Sequence, residues 1–137
     1  MLKKIVGIPS LCALLAIPSY AEVAVIVNPS NQQTISEADI KNLFSGKQKS
    51  FPDGSAAIIL SLPSGDSQLT VFHTKALGKT DAQMKAYWSK VMFTGKGTPP
   101  KEVSTDEMLK LVAANPSTIG IVDATQATDA VRVIGKY

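Results

Sequence analysis

Five consecutive apolar residues, Val23-Ala24-Val25-Ile26-Val27, lack the apolar/polar alternation of a half-exposed strand. Such a run reads as a strand covered on both faces, which requires helices packed above and below a sheet. Ile119-Gly120-Ile121-Val122 and the segment from Ala57 to Leu62 have the same character, and Val131-Arg132-Val133-Ile134 supplies a last strand. Helical signals alternate with them. Ser36 caps a helix carrying Ile40, Leu43 and Phe44, with Gly46 as its stop. A second begins near Ser67 and buries Leu69, Phe72 and Ala76. Thr80 with Gln83 opens a third, in which Met84, Tyr87, Trp88 and Val91 recur at helical spacing. Ser104 with Glu107 opens a fourth, bearing Met108, Leu111 and Val112 and ended by Asn115-Pro116. Covered strands separated by helices predict an α/β layer architecture on a mixed, mostly parallel sheet.

The N-terminal residues read differently. Met1-Leu2-Lys3-Lys4 is basic, Ile5 to Ile17 is largely apolar, and Ser19-Tyr20-Ala21 offers small residues for a signal peptidase. This pattern predicts a secretory signal peptide over residues 1–21, cleaved after Ala21. A membrane anchor needs about 20 apolar residues, whereas this run is shorter and contains Pro9 and Pro18. Removing 21 of 137 residues leaves 116, residues 22–137, a length suited to a single domain with one core. Lys3 and Lys4 leave with the signal. The 14 basic and 11 acidic residues of the whole chain thus become a mature charge of +1, and no nucleic-acid-binding face is implied. Cys12, the single cysteine, leaves too, which removes disulfides and thiol ligands. Leu11 before it is not a lipobox residue. The expected product is soluble and periplasmic, without a membrane span.

The loop Pro63-Ser64-Gly65-Asp66-Ser67-Gln68, between a strand and a helix, is built of small residues that let backbone N–H groups approach a ligand. A helix N-terminus adds unpaired donors and partial positive charge, so the loop is a candidate oxyanion cradle. Its donors would be the N–H groups of Gly65, Asp66, Ser67 and Gln68 and the hydroxyls of Ser64 and Ser67. Ligands of α/β sheets gather beyond the carboxyl ends of strands, which nominates the loops Asn28 to Asn31 and Asp123 to Thr125 as neighbours, with Asn28 or Ser30 as further ligand contacts. The same loop also reads as an ordinary helix start, with Asp66 as N-cap to Gln68 or Leu69.

Other motifs carry less. Gly78-Lys79-Thr80 imitates the end of a P-loop, but His73, within a helix, stands where that motif needs a Gly. His73 is the only histidine, and with no mature cysteine it cannot complete a zinc set. It reads as a structural residue, so no metal, cofactor or catalytic group is expected. Tyr87, Trp88 and Met92 read as core or as pocket lining.

Several segments together resemble the substrate-binding protein of bacterial phosphate ABC transporters, and more particularly short exported proteins similar to one of its two lobes. They are Val25-Ile26-Val27-Asn28-Pro29, Ile40 to Lys47, Phe51-Pro52-Asp53-Gly54, Phe72-His73, Tyr87-Trp88-Ser89, Phe93 to Pro100 and Ile119-Gly120-Ile121-Val122. The resemblance implies a single lobe of a type II periplasmic-binding-protein-like fold, with phosphate or a related oxyanion as ligand. Aligned on Phe72, Ser64 to Gln68 fall on the family's phosphate loop, and the family's Arg position falls on Leu62. Leu62→Arg would then supply a bidentate cation. Two functions follow: an oxyanion-binding module, or a periplasmic interaction or sensory accessory module that has kept the lobe without the ligand and meets a protein partner or a second copy. Intact-mass measurement of the exported protein should give a mature chain beginning at Glu22; a mass retaining residues 1–21 refutes the signal peptide.

Overall fold

The structure, a computed structural model, describes residues 22–137; the expected signal peptide and Cys12 lie outside the described residues. The chain runs β1 (Val23–Val27), α1 (Glu37–Phe44), β2 (Ile58–Ser61), α2 (Ser67–Ala76), α3 (Asp81–Phe93), β3 (Lys101–Glu102), α4 (Thr105–Ala114), β4 (Thr118–Asp123) and β5 (Arg132–Lys136). The strands form one sheet in the order β3-β2-β4-β1-β5. β2 is parallel to both β3 and β4, while β1 is antiparallel to β4 and β5. Four strands therefore point one way and β1 alone points the other. No helix among the described residues is long and apolar enough to cross a membrane.

Every residue of β1 is fully buried, as its unbroken apolar run requires. The layers follow from register. Gly120 of β4 pairs with Ile26, and a side chain at Gly120 would strike Met108 of α4. Val25 pairs with Ile121 and Gly135, and Gly135 faces Ile40 of α1. Adjacent strand residues point to opposite faces, so α4 covers one face and α1 the other. Phe44 of α1 meets Phe72 of α2 edge-on at 4.8 Å, and α2 packs on α3, so these helices share the α1 face.

Helix starts are local events. Ser36 and Asp39 form a complete capping box, as do Thr80 and Gln83. Ser104 accepts the Glu107 amide, half of the expected box. Leu69 and Phe72 of α2 are buried as expected, and Ala76 is partly buried. Lys101–Glu102, which carries no strand signal in the sequence, joins the sheet edge beside Leu60–Ser61. Two residues carry too little pattern to announce a strand.

Gly46 ends α1 at φ +76°, and a Cβ there would lie 2.8 Å from the Trp88 ring. This glycine therefore meets two demands at once, a left-handed backbone and a close ring contact. Gly46→Ala combines a left-handed penalty of about 1–2 kcal/mol with overpacking of a further 1 or more. Urea denaturation should show a loss of at least about 2 kcal/mol.

Candidate functional site

The antiparallel course of β1 corrects the expected grouping of loops. Val27 pairs with Ile119 and Arg132, at the amino ends of β4 and β5, whereas Val23 pairs with Asp123. Asn28 and Ser30 thus lie at the opposite end of the sheet from Ser64 to Gln68. They do not adjoin the cradle as the sequence reading supposed. Asn28 Nδ2 instead donates to the carbonyls of Val112 and Ala113 at 2.8 and 3.0 Å, closing the C-terminus of α4, and Ser30 Oγ donates to Asn28 Oδ1 at 2.7 Å. Their role is structural: they satisfy a helix end that would otherwise be bare.

The other two loops do meet. Gln68 Nε2 donates to Asp123 Oδ2 at 3.0 Å across the mouth of β2 and β4. Within the cradle, Pro63 O accepts the Asp66 amide at 3.1 Å, making a tight turn with Gly65 at φ +91°. Gly65 is exposed, with open space where a Cβ would stand. Asp66 caps α2, its Oδ1 accepting the Gln68 amide at 2.8 Å. Of the four expected backbone donors, those of Asp66 and Gln68 are therefore engaged internally, and those of Gly65 and Ser67 remain for a ligand.

The charge around these donors opposes an anion. Asp66 is itself the N-cap of α2, and Asp123 meets the first turn of that helix through Gln68. Asp123 accepts the Thr125 hydroxyl and amide at 2.7 and 2.8 Å, bonds that hold its carboxyl below the ordinary range. Gln68 Oε1 is buried with no donor to meet it. The sequence's single arginine, Arg132, donates to the carbonyls of Asn31 and Gln33 at 2.7 and 3.0 Å, at the far end of the sheet. Leu62 is fully buried in the core. A guanidinium there would be desolvated and unpaired, so Leu62→Arg does not restore a ligand cation.

A cleft of about 450 Å³ opens beside the cradle, between α2, α3 and the Pro99-Pro100 segment. Ser64 and Gly65 sit on its rim, and Phe44, Phe72, Met84 and Trp88 form much of its wall. Trp88 is thus both core and lining, while Met92 at the lip is half exposed. The residue that sequence reasoning set aside is His73, which lines this cleft. Its Nδ1 lies 2.7 Å from Asp81 Oδ1, and the Thr70 hydroxyl donates to Asp81 Oδ2 at 2.5 Å. These two bonds, Thr70 first, lower the Asp81 pKa. The sequence contains a faint signal for the pair: His73 lies in the last turn of one helix, Asp81 begins the next, and Gly78-Lys79 lies in the turn between them. Among the described residues no group of three metal-ligating side chains forms.

No protein-family model matches the chain, and no curated protein matches it either. Solved structures do. An ABC-type phosphate transport receptor from Vibrio cholerae superposes with TM-score 0.64 at 15% identity, covering 83% of this chain and 46% of the receptor. A protein described as a phosphate ABC transporter substrate-binding protein from Clostridium perfringens, solved with bound phosphate, gives 0.63 at 16% identity, with 83% and 45% covered. PstS from Borrelia burgdorferi gives 0.59 at 13% identity, with 83% and 47% covered. At these identities the likeness is one of fold. The chain spans less than half the length of these proteins and has the fold of one lobe of them.

Asp81 gives a pH prediction. Its folded pKa lies below the unfolded value of 3.8, so its stabilisation is complete above that value and is lost as pH falls through the folded one. Its side chain is 47% exposed, which limits the gain to under about 1 kcal/mol. Asp81→Asn should therefore cost a few tenths of a kcal/mol at neutral pH, the gap to wild type closing below about pH 4 in acid titrations of stability.

Proposed function

We propose that this chain is a single-lobe, solute-binding-like module exported to the periplasm, in which the cradle of Ser64, Gly65 and Ser67 meets phosphate or a related oxyanion only weakly. The observation that carries this reading is the placement of charge. Asp66 and Asp123 stand at the α2 N-terminus while the one guanidinium is committed at the other end of the sheet. The fold it shares with phosphate receptors supports a solute-binding origin; it leaves the ligand to the local chemistry. Catalysis is not part of the reading.

Magnitudes agree. Micromolar affinity needs about 8 kcal/mol. Two backbone donors to a charged oxygen give roughly 1.5 to 3 each, a helix terminus about 0.3 to 1, and association entropy is still to be subtracted. The gross sum, about 3 to 7 kcal/mol, drops below the roughly 4 kcal/mol of millimolar binding once that cost is taken. The carboxylates lower it further.

A second reading, an interaction or sensory accessory module that meets a protein partner or a second copy, is favoured by one observation. The cradle amides of Asp66 and Gln68 are closed by the protein itself, as in a helix start with no ligand to serve. Phosphate titration followed by amide chemical shifts decides between them. Weak saturable movement confined to residues 64–68, strengthened severalfold in Asp66→Asn because the cap remains and the charge goes, supports the oxyanion module. No movement in either protein supports the accessory module.

A further inference from the structure

We propose that the cleft between α2 and α3 binds a small organic molecule with an aromatic or branched apolar body and a hydrogen-bond donor, a hydroxyl or an amine, as its polar head. This site shares the rim residues Ser64 and Gly65 with the oxyanion cradle, but its polar group is His73, and it does not depend on the function proposed for the cradle.

Size and lining come first. About 450 Å³ lies within the range of small-molecule pockets, and such pockets combine apolar walls with a few oriented polar groups. Phe44, Phe72, Trp88 and Pro100 provide the apolar walls, and Met92 at the lip adds an adaptable, polarisable surface. A ring entering here leaves water for aromatic edges and faces, which prefer offset and edge-on contacts with another ring.

The polar group is His73, and the tautomer follows from its partner. Asp81 is ionised and accepts only, so the proton between them belongs to His73 Nδ1. With Nδ1 facing Asp81, the other nitrogen of a neutral imidazole, Nε2, is an acceptor. The Thr70 hydroxyl holds the second Asp81 oxygen, which restrains rotation of the carboxylate against the ring. His73 is 15% exposed, so its orientation is set by protein contacts more than by solvent.

Charge completes the selection. Asp81 and Glu102 line the cleft against a single lysine, Lys85. A carboxylate or phosphate head would bring lone pairs toward Nε2 and negative charge toward two carboxylates. A hydroxyl or ammonium head donates to Nε2 and meets no such opposition.

The chain contains one tryptophan and one histidine, both lining the cleft, so a single indole and a single imidazole signal report on it. Benzyl alcohol, benzylamine and benzoate are titrated into the mature protein by NMR. Benzyl alcohol and benzylamine should move both signals saturably, with a Kd of about 1 mM, and benzoate should bind at least tenfold more weakly. In His73→Phe, which keeps the ring volume, benzyl alcohol affinity should fall at least fivefold. Failure of both donor probes to saturate, benzoate binding as tightly as they do, or unchanged affinity in His73→Phe overturns the proposal. Should that variant not fold, the ranking of probes on the unaltered protein decides. Phosphate shifts at residues 64–68 are read in a separate titration, so loss of one site leaves the other standing.

Discussion

The burial of β1 between two antiparallel neighbours governs the rest of the molecule. Five apolar side chains with no exposed face must sit at the centre of a layered sheet, and the sheet closes around them as β4 on one side and β5 on the other. Because β1 runs against the other four strands, the loop that leaves it emerges at the wrong end to join the loops after β2 and β4. One reversed strand thus divides the polar groups into two populations. Ser64 to Gln68 and Asp123 gather at one mouth; Asn28, Ser30 and Arg132 gather at the other.

Under the function proposed above, the weak grip on a dianion follows from that division. At the cradle the protein supplies its own anion: the Asp66 carboxylate takes the donor that a ligand oxygen would take, and Asp123 takes the Gln68 side chain. An internal carboxylate at a helix N-terminus satisfies orphan donors and the helix dipole without any ligand. Arg132 meanwhile ties the segment after β1 to β5 through two carbonyls. Stability and ligand binding compete for the same few charged groups here, and stability has them.

The cleft shows the opposite balance. Its walls belong to the core, with Trp88 resting on Gly46 and Phe72 held edge-on by Phe44 and Tyr137. The aromatic lining is packed against side chains that the core needs anyway. The Thr70–Asp81–His73 chain adds a fixed acceptor to it. Burial of Tyr137, aided by nearby Glu37, raises its phenol pKa, in keeping with an aromatic layer that excludes water on that side.

How much of this the sequence announced depends on distance along the chain. Caps at Ser36, Thr80 and Asp66 were legible because a cap and its amide are two or three residues apart, and the apolar runs of β1 and β4 declared their double cover through composition alone. The helices and the four longer strands followed from such local rules, whereas the two residues of β3 did not. Three further things came only from the tertiary structure. The direction of β1 is set by which neighbours bury it, the burial of Leu62 by the layers that close over it, and the meeting of His73 with Asp81 by the turn between two helices. Local sequence fixes backbone conformation through nearest-neighbour sterics and hydrogen bonds, but which polar groups end up together is decided by how the whole chain hides its apolar surface.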